Sequence, residues 1–184
     1  MHKLLLAICS AFLLLFTATY SASASQNTLR PLSDMTYLKT SERRPYPNLH
    51  NYKHLSVLVK INQNKVFLKN NHQTIYTMYC SAGKLDPKTH KSYTPTGHFV
   101  IQPEHGKSFY NAELKEGANY WTSFKDHGVY LFHTVPTDKN GNYKLAPAKL
   151  LGRRPDSHGC IRMSIPDAKF MQTLPVNTPV TIKR

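Results

Sequence analysis

Leu55-Ser56-Val57-Leu58-Val59-Lys60-Ile61, Lys65-Val66-Phe67-Leu68-Lys69 and Thr74-Ile75-Tyr76-Thr77-Met78-Tyr79-Cys80 are three short runs rich in β-branched and aromatic residues. Asn62-Gln63-Asn64 and Asn70-Asn71-His72 separate them, and asparagine suits tight turns. Runs of this length at this spacing predict an antiparallel meander.

Downstream, Ser81-Ala82-Gly83 ends the third strand and a polar loop runs to Tyr93. Thr94-Pro95-Thr96-Gly97 reads as a turn, since proline fixes one dihedral and glycine frees another. His98-Phe99-Val100-Ile101 and Val129-Tyr130-Leu131-Phe132-His133 read as further strands. Between them, residues 103–128 carry Gly106, Gly117, Gly128 and the pair Tyr120-Trp121, which suggests an irregular binding loop or lid. Residues 136–152 read as another loop, with one helical turn at 148–151. Ser164 caps a predicted helix, with Pro166 in its first turn and Ala168, Phe170, Met171 and Leu174 on one face. Thr178-Pro179-Val180-Thr181-Ile182 closes the domain as a strand, placed at a sheet edge because of Pro179. The expectation is one mainly β domain with one or two short helices.

Upstream, residues 25–53 are polar and bear Pro31, Pro45 and Pro47, as in a linker or a segment draped over the domain. Residues 1–24 read as a secretory signal peptide: Lys3, an apolar run from Leu4 to Phe16, then Ala22-Ser23-Ala24 as the cleavage site. Cys9 sits mid-run behind bulky Ile8 and is a poor site for lipid attachment. The expectation is a secreted chain acting at the cell wall, with no transmembrane anchor after cleavage.

The formal net charge is +14, with 24 Lys and Arg against 10 Asp and Glu. The basic residues are scattered and no nucleic-acid motif accompanies them, so nucleic acid is not expected as a partner. An anionic wall polymer fits the charge, as does a merely solubilising basic surface. Cys80 and Cys160 remain after cleavage, too few for a disulfide scaffold, and are expected as free thiols.

The chemistry centres on Ser157-His158-Gly159-Cys160-Ile161-Arg162-Met163. A lone cysteine is usually a small buried hydrophobe. Here a histidine, two potential backbone donors and a guanidinium surround it, as a nucleophile requires. His133, ending an apolar strand, is a candidate base or a satisfied core residue. Asp138, Asp156 or a backbone carbonyl are candidates to orient its ring. His158 is a candidate base, donor or structural residue. Arg162 would lower the thiol pKa, hold a substrate carboxylate or tie the loop to carbonyls. The Gly159 and Cys160 N–H groups are candidate oxyanion donors. His133, His158 and Cys160 supply three zinc-ligand types, but their spacing matches no standard zinc pattern, so no metal is assigned.

The histidine followed by Ser157-His158-Gly159-Cys160-Ile161-Arg162 resembles the L,D-transpeptidase catalytic domain, across about residues 54–184. Supporting pieces are Ser81-Ala82-Gly83, Thr94-Pro95-Thr96-Gly97-His98-Phe99, Tyr120-Trp121-Thr122-Ser123-Phe124 and Leu131-Phe132-His133-Thr134-Val135-Pro136. The resemblance implies a β-sandwich or barrel-like fold with an active-site lid. It implies Cys160 as nucleophile, His133 as base, and Gly159, His158 and the Thr134 carbonyl as oxyanion-stabilising or orienting groups. Arg162, Ser157, Tyr120 and Trp121 become candidates for substrate contact. The implied reaction cuts the bond between the third residue and D-Ala of a peptidoglycan tetrapeptide stem. A thioester forms and an amine of another stem captures it, giving a 3-3 cross-link, with no cofactor. Two departures stand out: residues 138–147 lengthen the spacer between His133 and Ser157, and Ala82 stands where threonine is frequent. Alternatives are an L,D-carboxypeptidase that passes the same thioester to water, or a non-catalytic wall-binding module.

Overall fold

The structure, a computed structural model, describes residues 28–184; the expected signal peptide lies outside them. Strands β1 (Leu55–Lys60), β2 (Lys65–Asn70) and β3 (Gln73–Ser81) form the antiparallel meander. Asn64 and Asn71 turn the chain between them, each with φ 51°, a left-handed conformation that asparagine tolerates better than most residues. Alternation then buries Val57 and Val59, Val66 and Leu68, and Tyr76 and Met78 on one side of the pleat.

Six further strands follow: β4 (Gly97–Val100), β5 (His105–Asn111), β6 (Glu116–Lys125), β7 (Tyr130–Thr134), β8 (Ile161–Met163) and β9 (Pro179–Lys183). All nine join one curled sheet in the order β4-β9-β1-β2-β3-β8-β7-β6-β5. The β1–β9 and β7–β8 pairs are parallel. Past β4 the chain reaches across to β6: Gln102 N–H donates to the Ser123 carbonyl at 2.8 Å, and Ser123 N–H to that of Glu104 at 2.9 Å. The curl encloses helix α2 (Ile165–Met171), which packs on β6 and β7. Ser164 caps it as expected, its Oγ accepting from Asp167 N–H at 3.2 Å. Ala168 and Met171 point into the core.

Four expectations change. Residues 103–128 are not irregular: β5 and β6 form a hairpin. Its glycines serve close approach, because a Cβ at Gly106 would lie 2.5 Å from Trp121 Nε1, and one at Gly117 would lie 2.5 Å from the Phe109 carbonyl oxygen. β9 is not an edge strand but lies between β4 and β1. Pro179 is tolerated because it is the first residue of the strand. The helical turn, α1 (Leu145–Ala148), starts three residues earlier than expected. β8, unassigned in the sequence, fills the sheet between β3 and β7.

Residues 28–53 lie against this frame as a strap. β3 meets β8 only at Cys80 and Ser81. Beyond that contact, strap side chains take its outward N–H groups: Tyr79 N–H donates to Ser41 Oγ at 2.7 Å, and Thr77 N–H to Glu42 Oε1 at 2.6 Å. Ser41 Oγ donates to Asp167 Oδ2 at 2.5 Å and the Tyr46 hydroxyl to Oδ1 at 2.7 Å. Tyr46 stacks on Phe170 with centroids 4.2 Å apart. Among the described residues no helix is long and apolar enough to cross a membrane.

Candidate active site

The loop before β8 is built by close backbone packing. Asp156 and Ser157 N–H donate to the Ala82 carbonyl at 2.8 and 2.9 Å, and Lys84 N–H to that of Ser157 at 2.9 Å. Thr94 Oγ1 accepts from Gly83 N–H and donates to the Gly159 carbonyl, both at 2.7 Å. Gly159 has φ +142°, and a Cβ there would press on the Tyr130 ring at 3.1 Å, so the position requires glycine.

The parallel β7–β8 register sets His133 beside Arg162. Residues two apart on a strand share a face. Leu131 and His133 on β7, with Cys160 and Arg162 at β8, therefore line one cavity of about 470 Å³. Phe132, Ile161 and Met163 face the core instead. The β5–β6 hairpin overhangs the cavity through Phe109 and Trp121, and His158 stands at its wall.

The His133 ring is 6% exposed. Its Nδ1 lies 2.6 Å from the Thr134 carbonyl oxygen. A carbonyl only accepts, so Nδ1 carries the hydrogen and Nε2 keeps its lone pair. Burial lowers the pKa to about 4, the Thr134 bond opposes this, and the Arg162 charge adds to the lowering. Phe109 meets the ring edge-on at 5.5 Å. Neither carboxylate considered for orienting the ring does so. Asp138 accepts from Asn140 and Asn142 N–H within its own loop, and Asp156 holds Arg162.

Cys160 Sγ lies 3.6 Å from the Val129 carbonyl. Burial raises the thiol pKa above its ordinary value, against smaller lowering from a Leu131 backbone hydrogen bond and the Arg162 charge. Cys80, also free, is fully buried.

Arg162 is buried and double-clamped. Nη1 bonds Asp156 Oδ2 at 2.7 Å and the Asp156 carbonyl at 3.0 Å; Nη2 bonds Glu116 Oε2 at 2.7 Å. Its terminal nitrogens thus tie the loop and the hairpin together, the structural role among those considered. Its Nε is buried without a hydrogen-bond partner, as is Trp121 Nε1.

Other candidates move. Gly159 N–H is spent on Ser157 Oγ at 3.0 Å, which removes it as an oxyanion donor. Ser157 Oγ donates onward to the Cys160 carbonyl at 2.5 Å, so this buried hydroxyl shapes the loop and is not free for substrate. Tyr120 does not line the cavity. It has φ 51°, packs against the core and lies under Lys169 Nζ at 5.9 Å. His158 is half-exposed, with Nδ1 3.8 Å from Glu116 Oε2. Glu116 was missed in the sequence. It follows a turn and precedes a glycine, and nothing local marks a carboxylate that will meet β8 across the sheet. Among the described residues no group of three or more metal-ligating side chains forms.

A family model described as the L,D-transpeptidase catalytic domain, YkuD, matches residues 55–182. YciB of Bacillus subtilis (strain 168), named provisionally as an L,D-transpeptidase, is 42% identical over 138 residues, covering 74% of this chain and 69% of the relative. An L,D-transpeptidase from Mycobacterium smegmatis superposes with a TM-score of 0.54 at 17% identity, covering 71% of this chain and 59% of the other. L,D-transpeptidase 3 from Mycobacterium tuberculosis, in complex with a faropenem-derived adduct, gives 0.51 at 17% identity, covering 71% and 60%. The chain thus spans under two thirds of either solved neighbour, and at such identity they speak for the fold alone. The match over residues 55–182 and the 42% identity carry the assignment: this chain belongs to the L,D-transpeptidase (YkuD) family of catalytic domains.

Proposed function

We propose that this protein cuts the bond between the third residue and D-Ala of a peptidoglycan tetrapeptide stem and joins the acyl group to an amine of a second stem, making a 3-3 cross-link. One observation carries the reading: a buried imidazole, with its proton fixed at Nδ1 and a bare Nε2, shares a cavity with a partly exposed thiol. The raised thiol and lowered imidazole pKa values favour a neutral resting pair over a thiolate–imidazolium pair.

The proton therefore moves as attack occurs. Cys160 sulfur bonds to the carbonyl carbon while its proton passes to His133 Nε2. The positive ring is held by Thr134 through Nδ1. With Gly159 N–H committed to Ser157, the Cys160 N–H is the backbone donor assigned to the developing oxyanion. The C–N bond then breaks and Nε2 returns the proton to the departing D-Ala amine. An acceptor amine attacks the thioester carbonyl and gives a proton to Nε2; the C–S bond breaks, and Nε2 returns that proton to the Cys160 sulfur, restoring the thiol. Buried Arg162 Nε–H and Trp121 Nε1–H are donors that a bound stem would satisfy. The basic charge supports action at an anionic wall, and the expected signal peptide supports a place outside the cytoplasm.

Intact-mass spectrometry with a tetrapeptide stem tests the reading. The expected result is loss of D-Ala, a tripeptidyl adduct on Cys160, and a cross-linked product when an acceptor amine is added. A free tripeptide as sole product, with acceptor present, would assign hydrolysis instead. Cys160→Ala should be folded and inert, and turnover by that variant would end the covalent proposal.

A further inference from the structure

The strap and the sheet enclose a second cavity, of about 280 Å³, that shares no lining residue with the active site. Arg30, Lys39 and Arg43 line it and no acidic side chain does. Among the described residues none of the three forms an ion pair. Their neighbours differ: Arg44 is neutralised by Glu42, and Lys149 reaches Asp34 at 3.0 Å. Three cations left unpaired around one concavity repel one another, and that arrangement is relieved by a bound anion.

Part of the wall is fixed in advance. The Tyr79 hydroxyl donates to the Arg30 carbonyl at 2.8 Å, which pins the backbone that carries the guanidinium. Arg30 Nε meets Thr40 Oγ1 at 3.4 Å, so the terminal nitrogens stay uncommitted. Ser41, buried in the wall, is bonded to both Asp167 and Tyr79 N–H. Ser33 Oγ accepts from Met35 N–H at 3.3 Å and has its own hydrogen left to give. A guanidinium offers paired donors that match tetrahedral oxyanions, and a lysine adds a point charge. The frame around Arg30 and Ser41 is thus preset, and a ligand has only the exposed Lys39 and Arg43 side chains to order.

We propose that this strap cavity is a binding site for a phosphate-type oxyanion, either free phosphate or a phosphodiester of a polymer chain. The site is separate from acyl transfer and does not depend on that reading.

The test is amide NMR of the protein titrated with inorganic phosphate and, separately, with a short poly(glycerol phosphate). Saturable shifts are expected at Arg30, Lys39, Arg43 and Tyr79. Arg30→Gln/Arg43→Gln should weaken binding at least tenfold, whereas Lys53→Gln/Lys183→Gln, an equal loss of charge at exposed positions elsewhere, should change it less than twofold. Saturation by inorganic phosphate assigns the free ion; saturation by the polymer alone assigns the phosphodiester. Equal weakening in both double variants would reduce the effect to diffuse charge attraction and overturn the site, as would no saturable shift with either probe. A melting curve for each variant separates lost binding from lost folding. Thioester formation at Cys160 is read independently in the same samples, so failure here and failure of the acyl-transfer reading are distinguishable.

Discussion

His133 shows how one residue links fold stability to chemistry. Its pKa falls from an ordinary 6.5 to about 4 because the ring is desolvated. The unfolded chain therefore binds the proton more readily than the folded one. Stability from this group is complete above pH 6.5 and drains away as pH falls toward 4, by about 3 kcal/mol at full protonation. His133→Gln cannot titrate, so urea unfolding should show a flatter pH dependence for it across this window. The same variant should lose most acylation, because an amide N–H can bond to the Thr134 carbonyl but an amide has no basic nitrogen to take the thiol proton. A wild-type acylation profile in His133→Gln, with loss of the neutral limb in His158→Ala instead, would exchange the two histidines' roles. The thiols make a second contrast. Cys160 opens onto the cavity, whereas Cys80 is sealed in the core with its pKa pushed up by burial. A carbapenem should add its mass to the peptide containing Cys160 and leave Cys80 unmodified. An adduct on Cys80 would mean that another pocket is reacting.

The elements differ in how openly the sequence declares them. β1 to β3 were legible because half-buried strands alternate and asparagine marks their turns. The cap of α2 was legible from Ser164 and Pro166. The hairpin of β5 and β6 was not, because glycine inside a strand looks like a loop when its cross-strand partner is unknown. Gly106 faces Trp121 in register, and only the pairing explains it. β8 is three residues long and wholly buried, so no alternation can reveal it. The same divide runs through the site. Cys160 stood out by its neighbours in the chain, whereas His133 was singled out only by the family resemblance; the fold brings both to one cavity. Glu116 and its clamp on Arg162 depend on strands brought together from distant parts of the chain. Gly106→Val should push Trp121 off its seat and cost about 1–3 kcal/mol by overpacking. It should also slow acylation at least tenfold, since Trp121 helps to wall the cavity. Unfolding curves and acylation rates on one sample check both, and an unchanged acylation rate would remove Trp121 from the site.

For the molecule as a whole, the family match starts at residue 55, but contacts to its core start earlier, at Ser41, Glu42 and Tyr46. A chain cut before residue 54 loses Ser41 and Tyr46, both partners of buried Asp167, and bares the Phe170 face. Burial already raises the Asp167 pKa, and the hydrogen bonds from Ser41 and Tyr46 offset part of that rise. Leaving a buried carboxyl without such hydrogen-bond donors costs about 1–3 kcal/mol, and more where it is charged. Circular dichroism melts should show residues 54–184 unfolding far below residues 28–184, or not folding at all. Equal melting temperatures would reduce the strap to a passive covering.

The strap also sets an order of events. Ser41 and Tyr46 are made early, yet their partner Asp167 lies 126 and 121 positions later in the chain. β1 likewise waits for β9, its parallel neighbour. Such distant pairings carry a high loop-closure cost and form late. A ribosome, which feeds this chain from its amino end, therefore releases most of the sheet before the contacts that lock it exist. The polypeptide stays pliable while it is being made and closes only when its last helix and strand arrive.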